Sequence, residues 1–131
     1  MIKRSRLIAI EQVARWLMGL ILITAGTSKF FSAGGFREYY AGLFSNPQLR
    51  LQMPDWMIQL YLSVIPFIEL GLGIALFVVA LKPWTVYAWY AIMASLLVGH
   101  YILQEWSAVN QMLPYFFLGM ICHALPTGRD N

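Results

Sequence analysis

The stretch Arg15-Trp-Leu-Met-Gly-Leu-Ile-Leu-Ile-Thr-Ala-Gly-Thr-Ser-Lys29-Phe-Phe constrains the chain most: it is an apolar run closed at each end by a cation. At 100° per residue, Arg15, Gly19, Leu22, Gly26 and Lys29 fall within about 40° of one line along a helix. Everything unusual therefore lies on one face. Gly19 and Gly26 let a second helix approach closely, with the two cations above and below that contact, roughly 21 Å apart at 1.5 Å per residue. Such a helix is suited to packing inside a membrane bundle and holding charge there. A secretory signal peptide fits less well: Lys3, Arg4 and Arg6 precede the run, but Lys29 ends it without a small-x-small cleavage site.

The rest of the chain supports a membrane reading. Sixty per cent of its 131 residues are hydrophobic and 11% charged, against about a quarter charged in soluble domains. Mean hydropathy is +0.63. The expected architecture is all-α, one transmembrane domain over residues 1–131, an integral membrane four-helix bundle with helices at about 7–31, 56–81, 84–103 and 112–125. Between the first two, Phe36, Tyr39, Tyr40, Leu43 and Phe44 recur at helical spacing, which predicts a short amphipathic helix in the membrane interface. The second span carries Pro66, Glu69, Gly71 and Gly73, and the third is free of formal charge until Glu105. Trp16, Trp56, Trp84 and Trp106 fall near predicted ends, as interfacial aromatics do.

Four spans put both termini on one side of the membrane. Lys3, Arg4, Arg6, Lys82 and Arg129 would share that side, against Arg37 and Arg50 opposite, with Lys29 at the border. The positive-inside rule makes it the cytoplasmic side of an inner membrane. The net charge of +3 is concentrated in the N-terminal tail, a topology signal unlike a basic, aromatic-lined nucleic-acid surface. A lone cysteine, Cys122, forbids an internal disulfide and any C-x-x-C metal or redox site.

Chemistry must come from polar groups at membrane depth, where they are costly. Depth bookkeeping sorts them into two clusters. Arg15 and His123 belong toward the inner side; Lys29, His100, Gln104 and Glu105 belong toward the outer side, with Asn110 at the rim. The outer group predicts a polar pocket open toward the loop carrying Phe36 and Tyr39, because Trp89, Met93, Leu96, His100 and Gln104 share one helix face. His100 and His123 differ in height by on the order of 12 Å, too far to share one haem iron. Glu69 lies near the midplane, where an ionised carboxylate requires a partner. Arg15 is the expected one, roughly 9 Å away in depth against roughly 12 Å for Lys29, and its guanidinium binds carboxylates through two hydrogen bonds. Gly19 and Gly26 on the first helix, with Gly71 and Gly73 on the second, are the expected close-packing positions.

The pattern Arg15-x3-Gly19-x6-Gly26-x2-Lys29-Phe30, then Phe36, then Ile65-Pro66-Phe67-Ile68-Glu69-Leu70-Gly71-x-Gly73 resembles the DoxX/MauE group of small four-helix membrane proteins. The similarity runs from Arg15 to Leu81, and beyond that extends only to length and hydropathy. It implies a bacterial or archaeal inner-membrane protein associated with redox systems. DoxX-like proteins are linked to thiosulfate:quinone oxidoreductase and MauE-like proteins to maturation of methylamine dehydrogenase. Several MauE-like proteins carry cysteines around the third and fourth helices; with only Cys122 here, a thiol relay is not implied.

Three functions follow as expectations. The first is an accessory or assembly subunit of a membrane redox system, partnered by a membrane or periplasmic redox protein and not an enzyme on its own. The second is a quinone-interacting oxidoreductase subunit using Lys29, His100 and Glu105 as proton-handling groups. The third is a small-solute or proton carrier built on Glu69, although no inverted repeat is visible. No cofactor motif is present; a quinone is the one redox ligand considered.

Overall fold

The computed structural model describes residues 1–32 and 34–130. Six α-helices follow in order: α1 (Arg4–Phe30), α2 (Phe36–Phe44), α3 (Asp55–Ala75), α4 (Trp84–Ile102), α5 (Trp106–Gln111) and α6 (Leu113–Ala124). A 3-10 turn at Val79–Leu81 precedes α4, and no strand occurs among the described residues. Three helices, α1, α3 and α4, are long and apolar enough to cross a membrane. At 1.5 Å per residue they span about 40, 31 and 28 Å, whereas α6 spans only about 18 Å.

The outward surface is apolar: Leu20, Leu60, Phe67, Ile74 and Val98 are all exposed. In water such a surface would aggregate, and in hydrocarbon it is at home. The protein is accordingly a membrane protein. Inside, α1 packs chiefly against α3 and next against α6, and α4 touches both α6 and α3. The buried stripe of α1 is Glu11, Ala14, Arg15, Met18, Gly19, Leu22 and Gly26, the helical face read from the sequence extended downward by one turn.

Glycines set the α1–α3 distance. A Cβ on Gly19 would lie 2.8 Å from the Gly73 carbonyl oxygen, one on Gly26 2.9 Å from that of Pro66, and one on Gly73 3.0 Å from that of Gly19. The two backbones are therefore nearly in contact. Gly71 differs from expectation: it is exposed, with nothing within 4 Å of a Cβ placed there. Two residues from Gly73, it lies about 200° away around the helix, on the outer surface. Gly119 on α6 does at α4 what Gly73 does at α1, since its Cβ would meet Trp89 at 2.7 Å.

Two element ends also differ from expectation. The second span stops at Ala75, short of residue 81, and the Leu76 carbonyl exposed at that end accepts from the Arg15 guanidinium at 2.7 Å. The residue before Pro83 is steered toward extended backbone, so helix does not run on through Lys82 into α4. Residues 104–111, expected as a polar turn, include α5, and α6 begins at Leu113 with Pro114 in its first turn, where a missing N–H costs nothing.

Candidate functional site

Two buried polar clusters occupy opposite ends of α1. At its C-terminal end, Lys29 Nζ donates to both oxygens of Glu69, at 2.9 and 2.8 Å. Glu69 is 1% exposed, and Lys29 also lies over the Phe36 ring of α2, 5.2 Å from its centre. The pairing expected between Arg15 and Glu69 is not formed. Side chains on a helix lean toward its N-terminus. Gly19 faces Gly73 and Gly26 faces Pro66, an antiparallel register that puts Glu69 about 9 Å in height from Lys29 and about 12 Å from Arg15. Lys29 leans down α1 while Glu69 leans up α3, so they converge; Arg15 leans away from Glu69.

Arg15 turns instead to Glu11, one turn earlier on its own helix, with Nε to Oε1 at 2.9 Å. An acid four residues N-terminal to a base is the favourable order on a helix. The same Glu11 oxygen lies 3.4 Å from Lys82 Nζ and 3.6 Å from the Cys122 sulfur. Lys82 further donates to the carbonyls of Cys122 and Leu125, at 2.6 and 2.9 Å. The helix ends of α3 and α6 expose carbonyls with no intrahelical partner, and Arg15 and Lys82 supply theirs. This cluster ties α1, the α3–α4 connection and α6 together. The Glu11-x3-Arg15 spacing is the sequence signal for the first pair, whereas Lys82, in the sequence only a charge on the terminal side, joins Glu11 through the fold.

The Lys29–Glu69 pair forms part of the wall of a cavity of about 220 Å³ beneath α2. Leu62, Met93 and Leu96 belong to its apolar wall; Tyr40, Tyr61, Tyr115 and His100 are its other polar residues. Tyr61 is held by Ser95, hydroxyl to hydroxyl at 2.9 Å, and His100 Nδ1 lies 3.1 Å from Glu105 Oε1. Among the described residues the Tyr40 hydroxyl and His100 Nε2 have no protein partner. Burial, and then the negative charge of Glu105, raise the Tyr40 phenol above its ordinary pKa of 10.0, which keeps it a hydrogen-bond donor.

Lys29 and His100 thus line one cavity, and Glu105 joins it through His100. Gln104 does not: α4 ends at Ile102, and Gln104 turns into the left-handed region at φ 59°, exposed. The helical face projected through Gln104 stops one residue pair too soon to carry it inward. Asn110 is exposed. His123 is also exposed, with its ring against Tyr87 and Tyr90 and Nδ1 3.4 Å from the Tyr90 hydroxyl.

A family model described as methylamine utilisation protein MauE matches residues 7–112. The match takes in α1 to α5 and stops just before α6. No curated protein and no solved structure matches the chain.

Proposed function

The chain belongs to the MauE family of methylamine utilisation proteins, and on that premise we propose that it is an accessory or assembly subunit of a membrane redox system. Its partner in this reading is a membrane or periplasmic redox protein. The observation that carries the role is the closure of the buried charge. Glu69 gives both its oxygens to Lys29, and Glu11 is held by Arg15 and Lys82. A carrier needs a midplane group that releases and regains its ion, and a carboxylate locked in this way does not do so readily. A fixed charged framework suits a protein that positions another.

In this reading the chain crosses an inner membrane four times as a four-helix bundle, both termini cytoplasmic. The fourth crossing in this reading is α6, about 18 Å of helix, with α5 leading into it as a separate helix across Met112. Support for the orientation comes from Lys3, Arg4, Arg6, Lys82 and Arg129 on the terminal side. The α2 helix lies in the opposite interface, with Tyr39 exposed.

Affinity capture of the tagged full chain from native membranes tests the role. A stoichiometric redox protein or redox-protein precursor is expected in the eluate. Recovery of the chain alone under mild detergent, together with solute uptake by the lone protein in vesicles, would overturn it in favour of a carrier.

A further inference from the structure

We propose that the cavity beneath α2 and an adjoining groove together hold one molecule of a membrane quinone, its ring in the cavity and its apolar tail in the groove. The inference uses the cavity described above but does not depend on a protein partner.

Size sets the first bound. An apolar cavity of about 150 Å³ takes up benzene, so about 220 Å³ admits one substituted ring. Charge sets the second. Lys29 is neutralised by Glu69, and His100 faces Glu105. An anionic head group would meet two carboxylates and no free cation, which excludes an anionic phospholipid, and a cationic one would meet the Lys29 ammonium in the wall, so a neutral occupant fits best. Hydrogen bonding sets the third. The Tyr40 hydroxyl is a free donor, and His100 Nε2 is a free acceptor when Nδ1–H donates to Glu105. A quinone oxygen accepts from the first, and a quinol hydroxyl donates to the second.

The groove supplies what a ring alone would not need. It measures about 370 Å³ between α3, α4 and the end of α2, with Met53, Met57, Ile58, Val98 and Ile102 in its wall. It shares Phe44, Tyr61 and Gly99 with the cavity, so the two spaces adjoin. Its polar residue Ser95 is already engaged by Tyr61 and by the Ile92 carbonyl. Gly99 stands at the junction; a Cβ there would just touch the Phe44 ring at 3.8 Å, and anything larger would close the passage. A polar ring site opening onto an apolar channel matches an amphiphile with a small neutral head.

The test titrates the purified full chain in nanodiscs with decylubiquinone, a neutral single-ring quinone with an alkyl tail, and counts retained quinone after washing. One molecule per chain is expected, bound saturably. Tyr40→Phe should weaken binding about fivefold, the worth of one hydrogen bond. Gly99→Leu should weaken it by about tenfold or more, a cost of 1.4 kcal/mol or greater. Excess dioleoyl phosphatidylglycerol should not displace the quinone, and a photoreactive azidoquinone should label a residue that lines the cavity or the groove. Should Gly99→Leu fail to fold by circular dichroism, the Tyr40→Phe titration and the labelled peptide decide. No saturable binding by the folded wild-type chain, displacement by the phospholipid, or labelling elsewhere would overturn the proposal. None of these outcomes touches the accessory role, and absence of a captured partner would leave quinone binding standing.

Discussion

Lys29 and Glu69, 40 residues apart, meet across the α1–α3 interface with one ammonium bridging both carboxylate oxygens. Removing one partner strands a buried charge, whereas removing both leaves an apolar contact. Glu69→Leu or Lys29→Met alone should destabilise by about 3 kcal/mol, and the double variant by less than either. Unfolding in mild detergent measures all four corners of the cycle. Additive effects, with no coupling beyond error, would show that the pair contributes nothing.

Gly19 and Gly71 make a paired test of close approach. The missing Cβ of Gly19 would press on a backbone oxygen, which cannot swing aside, whereas that of Gly71 meets nothing. Gly19→Ala should cost about 1 to 3 kcal/mol by overpacking. Gly71→Ala should be neutral or stabilising by up to about 1 kcal/mol, since alanine is the better helix former. Thermal unfolding midpoints of the two variants should shift in opposite directions or differ clearly in size.

Lys82 holds the last turn of α6 through the Cys122 and Leu125 carbonyls. Lys82→Met should loosen that end and cost about 1.5 to 3 kcal/mol, the range for hydrogen bonds to a charged group. Cys122 is fully buried in the wild type, so its alkylation by a small maleimide reports the change. Labelling should be slow in the wild type and several-fold faster in Lys82→Met. Equal rates would mean that the ammonium does not secure the helix end.

Asp130 lies outside the membrane segments, and its carboxylate accepts from the Thr127 N–H and so titrates below its ordinary value of 3.8. A depressed folded-state pKa contributes order above the unfolded value and loses it as pH falls through the folded one. The turn at residues 127–130 should therefore be protected near neutral pH and loosen below about pH 3.8. Amide exchange at Thr127 follows it, and Asp130→Asn should flatten the pH dependence.

How much of this was legible in the sequence depends on which property carried each inference. Periodicity was sufficient for the three long apolar helices, for the glycine-bearing face of α1 and for the helix of spaced aromatics at Phe36–Phe44. The partner of Glu69 was not legible because the register of Gly19 against Gly73 and Gly26 against Pro66 reverses the two heights reckoned from the span ends, and depth along a helix says nothing of the direction in which side chains lean. Gln104 was misplaced for a related reason: extrapolating a helical face presumes that the helix continues, and α4 ends two residues earlier. The early end of α3 is marked by no glycine or proline directly after Ala75, and its exposed Leu76 carbonyl is taken up by Arg15, 61 residues away.

Glu11 and Arg15 neutralise one another within a single helix, whereas Lys29 and Glu69 depend on two. For biogenesis this makes α1 asymmetric. Its first half can leave the insertion machinery as a self-compensated segment. Its second half enters lipid with a bare ammonium, which will stay at the head-group level by snorkelling until α3 arrives. A nascent chain truncated before α3 should accordingly hold the end of α1 accessible to water-soluble reagents, and one extended through Glu69 should not. On that outcome the unit of insertion would be the α1–α3 hairpin, with α2 carried in between its arms.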